Sequence, residues 1–182
     1  MGGVYHTLNP RLFPEQIAWI MNHAEDRAVF VDLTFLPVIE KVSPQVKSLR
    51  QVIVLTDDAH MPQTSLPNAI AYETWLSGAD GDYAWKALDE SAACGMCYTS
   101  GTTGDPKGVV YSHRSNVLHA MIAAMPDAMG LSSRDIVLPV VPMFHANAWG
   151  LAQTAPMVGA TLVMPGGKMD GESIYELLDT QK

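Results

Sequence analysis

Between residues 98 and 108 the chain reads Tyr98-Thr99-Ser100-Gly101-Thr102-Thr103-Gly104-Asp105-Pro106-Lys107-Gly108. From Thr99 onward this segment holds four hydroxyl side chains, three glycines and one lysine. A polyphosphate needs many hydrogen-bond donors in a concave arrangement, and a compact positive charge. Glycines let backbone N–H groups approach at positive φ, hydroxyls add donors, and a lysine adds the charge. An exposed surface loop draws on the same residue types. The combination with a Pro-Lys-Gly ending, set between two apolar stretches, makes phosphate binding the direct physical reading. The spacing is not that of Gly, four residues, then Gly-Lys-Ser/Thr, and Gly166-Gly167-Lys168 fails the same test because Met169 has no hydroxyl. Neither G-x-G-x-x-G nor G-x-S-x-G occurs.

A second constellation is Pro142-Met143-Phe144-His145-Ala146-Asn147-Ala148-Trp149-Gly150. It puts one imidazole, one amide and two large aromatics between an apolar strand and a following helix. The C-terminal ends of strands are where α/β sheets bind ligands, and an imidazole beside aromatic walls suits a carboxylate at the mouth of an apolar pocket. The plainer reading is a hydrogen-bonded histidine and a packing tryptophan. Cys94 and Cys97 form C-x-x-C, but inside a stretch that reads as a buried strand rather than a helix start, where a thiol would be activated. No further ligands at zinc spacing accompany them. Two small buried thiols is the favoured reading. His113 follows Ser112 at the expected start of a helix, and His6, His23, His60 and His119 show no metal-binding spacing.

These residues need a scaffold. At 182 residues the chain suits one ordinary domain, and 48% hydrophobic with 16% charged residues is a globular composition. The net charge of −8 repels a nucleic-acid backbone, so no nucleic-acid partner is expected and any phosphate must be held locally. No stretch approaches the roughly 20 apolar residues of a transmembrane segment. The first residues lack a basic region leading into an apolar core, so the expected location is cytoplasmic.

Helix-like and strand-like segments alternate. Pro14 opens a helix with Ile17, Ile20, Met21 and Ala24 at helical spacing, and Ala28–Asp32 reads as a short buried strand. Residues 35–46 read as helical despite Pro37 and Pro44. Gln51–Leu55 reads as a strand, 57–69 as an exposed loop, and Tyr72 to Trp85 as a short aromatic stretch. Ala92–Tyr98 and Gly108–Tyr111 are strand-like on either side of the phosphate loop. Val117, Met121, Ala124, Met125 and Ala128 repeat at intervals of three and four, a helix that Pro126 should kink or end. Ile136–Val141 and Ala160–Met164 are further apolar strands, and Ile174, Leu177 and Leu178 mark a last helix with Asp170 placed to cap it. Apolar strands alternating with helices predict an α/β fold, layered, with a largely parallel sheet flanked by helices.

The run Tyr98 to Val109 closely resembles, without interruption, the signature loop of the adenylate-forming (AMP-binding) superfamily, which includes acyl-CoA synthetases, luciferases and peptide-synthetase adenylation domains. His145-x-Asn147-Ala148-Trp149 and the opening His6-Thr7-Leu8-Asn9-Pro10-Arg11-Leu12 are similar to medium- and long-chain fatty-acyl-CoA ligases. The resemblance implies an acid–thiol ligase acting on a small-molecule carboxylic acid (a fatty acid above all), with ATP, Mg²⁺ and coenzyme A. Carried over, Thr99, Ser100, Gly101, Thr102, Thr103, Gly104 and Lys107 hold the β- and γ-phosphates, with the Thr99 hydroxyl near the metal. His145, Ala146 and Trp149 lie between nucleotide and acyl carboxylate, and the Trp149 position gates the acyl tunnel. Methylthiopropionate- and aryl-CoA ligases share much of the pattern. A peptide-synthetase adenylation domain and a non-catalytic nucleotide-binding module are the remaining alternatives. The resemblance further implies that residues 1–182 are part of the large N-terminal domain, incomplete at both ends. On that expectation the Tyr-Gly-x-Thr-Glu segment, the ribose-binding Asp, the hinge and the C-terminal domain lie outside residues 1–182. The expectation is therefore negligible ligase activity for this chain alone, with a homodimer a possible assembly of the full-length enzyme.

Overall fold

The computed structural model describes residues 1–99 and 104–181. The chain divides into two compact units, one formed by residues 1–7 and 87–182, the other by residues 8–86.

The first strand, β1 (Tyr5–His6), belongs to the former unit; the chain then builds the latter. Helix α1 (Pro14–Ala24) starts at Pro14, whose missing N–H and preset φ suit a first turn, and buries Ile17, Ala18, Ile20 and Met21. Strand β2 (Ala28–Val31) is one residue shorter than its expected extent and alternates in burial: Val29 and Val31 face the core while Phe30 lies outside, edge-to-face with Trp75. It is an edge strand of the sheet, not one buried on both faces. Helix α2 (Leu36–Val42) and the 3₁₀ turn Ser43–Gln45 each carry their proline in the first turn, so Pro37 and Pro44 begin elements rather than break one. Strands β3 (Gln51–Val54) and β4 (Ala69–Ala71) complete a parallel sheet in the order β2-β3-β4, with Val29 opposite Val52 and Ile53 opposite Ile70. Strand β4 was not legible beforehand, because three residues are too few to show a period. The 57–69 segment is mostly exposed, but Leu66 reaches the core with Met21, Val42 and Val54. Helix α3 (Tyr72–Ser77) follows.

In the unit that holds the two motifs, β1, β5 (Ala93–Tyr98) and β6 (Gly108–Ser112) form one sheet. β1 and β5 run parallel, whereas β5 and β6 are antiparallel. The antiparallel exception follows from the short connection, since a parallel return needs a crossover of about a dozen residues or more. Helix α4 (His113–Ala124) is opened by Ser112, whose Oγ accepts from the Ser115 N–H, and it ends before Pro126. Its buried face is Ala120 and Ala123, whereas Val117 and Met121 are 57% and 52% exposed. The large residues of the apolar repeat therefore face outward, and the small ones allow α4 to pack on α6 (Leu151–Val158), which buries Thr154 and Ala155. Between them lies the single turn α5 (Ala146–Trp149). Strands β7 (Ile136–Val137) and β8 (Thr161–Leu162) pair in parallel and are shorter than the apolar runs that predicted them. Helix α7 (Gly171–Thr180) is capped by Asp170, whose carboxylate accepts from the Ser173 N–H and hydroxyl. The fold is thus α/β with mostly parallel pairing, but among the described residues the strands form three small sheets rather than one.

Candidate functional site

The phosphate-loop candidate connects β5 to β6, and its two ends are clasped together. The Thr99 N–H donates to the Lys107 carbonyl at 3.0 Å, and the Lys107 N–H donates to Thr99 Oγ1 at 3.4 Å. Gly104 has φ of 140°, a backbone state that L side chains rarely adopt. Lys107 is exposed and makes no ion pair among the described residues, so its charge is available to an anion. Ser100, Gly101, Thr102 and Thr103 lie outside the described residues.

The second motif has an unusual backbone. Ala146, Asn147, Ala148 and Trp149 have φ of 46°, 51°, 52° and 57°, and Gly150 continues at 73°. This is a left-handed turn made almost wholly of L residues, which costs roughly 1–2 kcal/mol per non-glycine residue. Strain of that kind persists only where surrounding contacts over-determine it. The turn has two sides. His145, Ala146 and Trp149, the residues singled out by sequence, are exposed, with Trp149 52% accessible. Asn147 and Ala148 are buried, Asn147 to 4%.

What holds the buried side lies far away in sequence. Asn147 Oδ1 accepts from the Thr7 hydroxyl at 2.9 Å, and Asn147 Nδ2 donates to the Tyr5 phenolic oxygen at 3.3 Å. That same oxygen accepts from Asn116 Nδ2 at 2.9 Å and from Gln153 Nε2 at 3.2 Å. The Tyr5 ring can lie there because residue 95, its partner across the parallel ladder, is glycine: a Cβ at Gly95 would sit 2.4 Å from Tyr5 Cζ. His119 Nε2, bearing its proton, donates to the Trp149 carbonyl at 3.0 Å. Gly150 is required twice over, by its φ and because a Cβ there would approach His119 Cδ2 to 2.6 Å. Tyr5, Thr7, Asn116, His119 and Gln153 were not among the sequence candidates. Only glycines at 95 and 150 hinted at close approaches.

Thr7 stands one residue past β1 and its N–H donates to Met96, while Thr99 stands one residue past the parallel strand β5. The turn, tied to Thr7, and the loop, starting at Thr99, therefore sit at the same C-terminal edge of the β1–β5 pair, the edge at which α/β folds bind ligands.

Cys94 and Cys97 are free, buried and within the strand as expected; burial pushes the Cys94 thiol up, although it accepts from Asn116 at 3.2 Å. Tyr111, 3.3 Å from Cys97 Sγ, has its phenol pushed up to about 12, by that sulfur contact first and by burial second. Burial likewise raises Tyr5. Among the described residues no three His, Cys, Asp or Glu side chains cluster to hold a metal ion. Among the described residues of the loop, Thr99 supplies one neutral oxygen, which alone is too little for a resident magnesium site. In the other unit an open cavity of about 450 Å³ is lined by Glu25, Arg27, Ser48 and Arg50, at the start of β2 and β3.

Comparison with known proteins places this geometry in context. The AMP-binding enzyme family matches residues 1–182. The chain is 49% identical over 180 residues to a medium-chain-fatty-acid–CoA ligase of Ectopseudomonas oleovorans, covering 99% of this chain and 33% of that enzyme. It is 45% identical to a 3-methylmercaptopropionyl-CoA ligase of Ruegeria pomeroyi (98% and 33% covered) and 49% identical to a long-chain-fatty-acid–CoA ligase of Thermus thermophilus (98% and 31%). Among solved structures, a red-emitting luciferase of Phrixothrix hirtus superposes with a TM-score of 0.81 at 25% identity, over 97% of this chain and 34% of that one. The chain spans about a third of the length of the curated relatives it matches. With its hydroxyl- and glycine-rich loop and its His145–Trp149 turn on one strand edge, the chain belongs to the AMP-binding enzyme family.

Proposed function

We propose that residues 1–182 are part of the large N-terminal domain of an ATP-dependent acyl-CoA ligase working in the cytoplasm on a medium- or long-chain fatty acid. The observation that supports this reading is the shared strand edge: the Thr99–Lys107 clasp, with an exposed lysine that makes no ion pair among the described residues, beside an exposed histidine and tryptophan. In the proposed reaction a carboxylate oxygen attacks the α-phosphorus of ATP and the bond to the β-phosphate oxygen breaks, giving acyl-adenylate and pyrophosphate. The coenzyme A thiol then displaces AMP. Charge accumulates on the departing pyrophosphate, where loop N–H groups, the hydroxyls from Thr99 to Thr103 and the Lys107 ammonium would stabilise it. Thr99 is assigned one oxygen contact to a magnesium ion arriving with the nucleotide. His145, Ala146 and Trp149 are assigned to the boundary between nucleotide and acyl group, with the Trp149 indole bordering the acyl path.

A methylmercaptopropionate-type acid is the second reading, because relatives acting on it are 45% identical. The test is pyrophosphate exchange over a panel of carboxylic acids. It uses this chain beside a chimera in which residues 1–182 replace the matching third of the Ectopseudomonas oleovorans ligase. Exchange by the chimera with fatty acids, and none by the chain alone, is the expected result. A chimera inert to every acid while ATP still binds would move the reading to a nucleotide-binding module. Lys107→Ala is expected to weaken ATP binding to the chain by roughly tenfold, the scale of one charge-assisted hydrogen bond.

A further inference from the structure

We infer that Tyr5, with Thr7, is a positioning residue for the carboxylic-acid side of the site, acting through Asn147 to hold the left-handed turn that carries His145 and Trp149; the inference rests on the ligase reading above. Three independent observations converge on it. First, the turn is strained: four consecutive L residues at φ between 46° and 57° do not hold that conformation by local preference. Second, its only buried polar side chain, Asn147, is satisfied by Thr7 and Tyr5, which lie 140 and 142 residues upstream. Third, the Tyr5 oxygen also takes amide protons from α4 and α6, so one phenol ties together the helix before the turn, the turn itself and the helix after it.

Tyr5 owes its place to Gly95, across the ladder. The node sits on β1 beside β5, the strand that leads to Thr99, yet none of its hydrogen bonds involves the clasp between Thr99 and Lys107. The two halves of the site are therefore held by separate devices. Loosening the Tyr5 node should disturb the acid half and spare the ATP half. Tyr5→Phe removes the common acceptor and leaves three amides without it; Thr7→Val removes one donor to Asn147 while keeping the side chain's shape. Thr7→Ser restores that donor.

The experiment has two readouts. In the chimera, KM for the acid and KM for ATP are measured separately by pyrophosphate exchange. In the 182-residue chain itself, 5-fluorotryptophan labelling gives a ¹⁹F resonance for Trp149, assigned by its loss in Trp149→Phe. The expected result is an acid KM raised on the order of tenfold in Tyr5→Phe and Thr7→Val, an ATP KM within about twofold of the parent, and recovery in Thr7→Ser. The Trp149 resonance should shift or broaden in the first two variants and return in the third. An unchanged acid KM in both variants of an active chimera overturns the inference. So does a joint loss of acid and ATP function with a lowered melting temperature, which would mark Tyr5 as merely structural. If the parent chimera is inert to every acid, the ligase reading fails. The ¹⁹F spectrum then decides alone: a moved resonance keeps the positioning role of Tyr5 and an unmoved one removes it.

Discussion

Replacing Gly95 with alanine tests the central node most directly. An added Cβ would lie 2.4 Å from Tyr5 Cζ, 2.6 Å from its oxygen and 2.7 Å from Cε1. Carbon atoms rest about 3.5–4.0 Å apart, so the ring must withdraw by about 1 Å or more. The phenolic oxygen now accepts at 2.9, 3.2 and 3.3 Å, and the same movement carries the longer two of those bonds beyond useful length. Overpacking costs about 1–3 kcal/mol, and each lost hydrogen bond about 0.5–1.5 kcal/mol. The loss of backbone freedom in the unfolded chain offsets about 0.4–1 kcal/mol. The net expectation is a destabilisation of about 2–4 kcal/mol, read as a shift of the urea midpoint of the chain. With Tyr5→Ala already present the space is open, and Gly95→Ala should be close to neutral. The coupling between the two sites should therefore exceed about 1.5 kcal/mol. Equal costs for Gly95→Ala in both backgrounds would refute the close approach of ring and strand, and with it the node.

Other expectations follow from the same structure. Ala146→Gly removes an αL penalty of roughly 1–2 kcal/mol and adds about 0.5–1 kcal/mol of backbone entropy, so it should stabilise by about 0.5–1 kcal/mol. Ala152→Gly in the right-handed α6 should instead cost about 1 kcal/mol, and matching signs in urea unfolding would contradict the left-handed turn. Hydrogen bonds from Ser132 and Ser173 hold the Asp135 and Asp170 carboxyls below their usual range. Their contribution is present above the unfolded value near pH 4 and lost as pH falls through the folded values. Acid unfolding should become shallower in Asp135→Asn and Asp170→Asn. The Tyr111 phenol, raised from 10.0 to about 12, stabilises fully below pH 10 and progressively less above it. The near-ultraviolet phenolate titration of the folded chain should contain a late step that Tyr111→Phe removes.

Much of this protein was written locally. The segment from Thr99 to Lys107 could be read as an anion site because such a site needs glycines, hydroxyls and a lysine within a few residues, and Pro14, Pro126 and Asp170 marked helix ends through their own covalent chemistry. The α/β class followed from runs of apolar residues, although those runs overstated β7 and β8 and could not reveal β4. Tertiary structure alone decided the hand of residues 146–149. Ala-Asn-Ala-Trp contains no glycine and locally favours a right-handed turn. Only partners brought in from β1, α4 and α6 turn it the other way. A hydrogen bond between residues 142 positions apart leaves no periodicity or spacing to read; it exists only once the β1–β5 ladder has closed and set Tyr5 over Gly95.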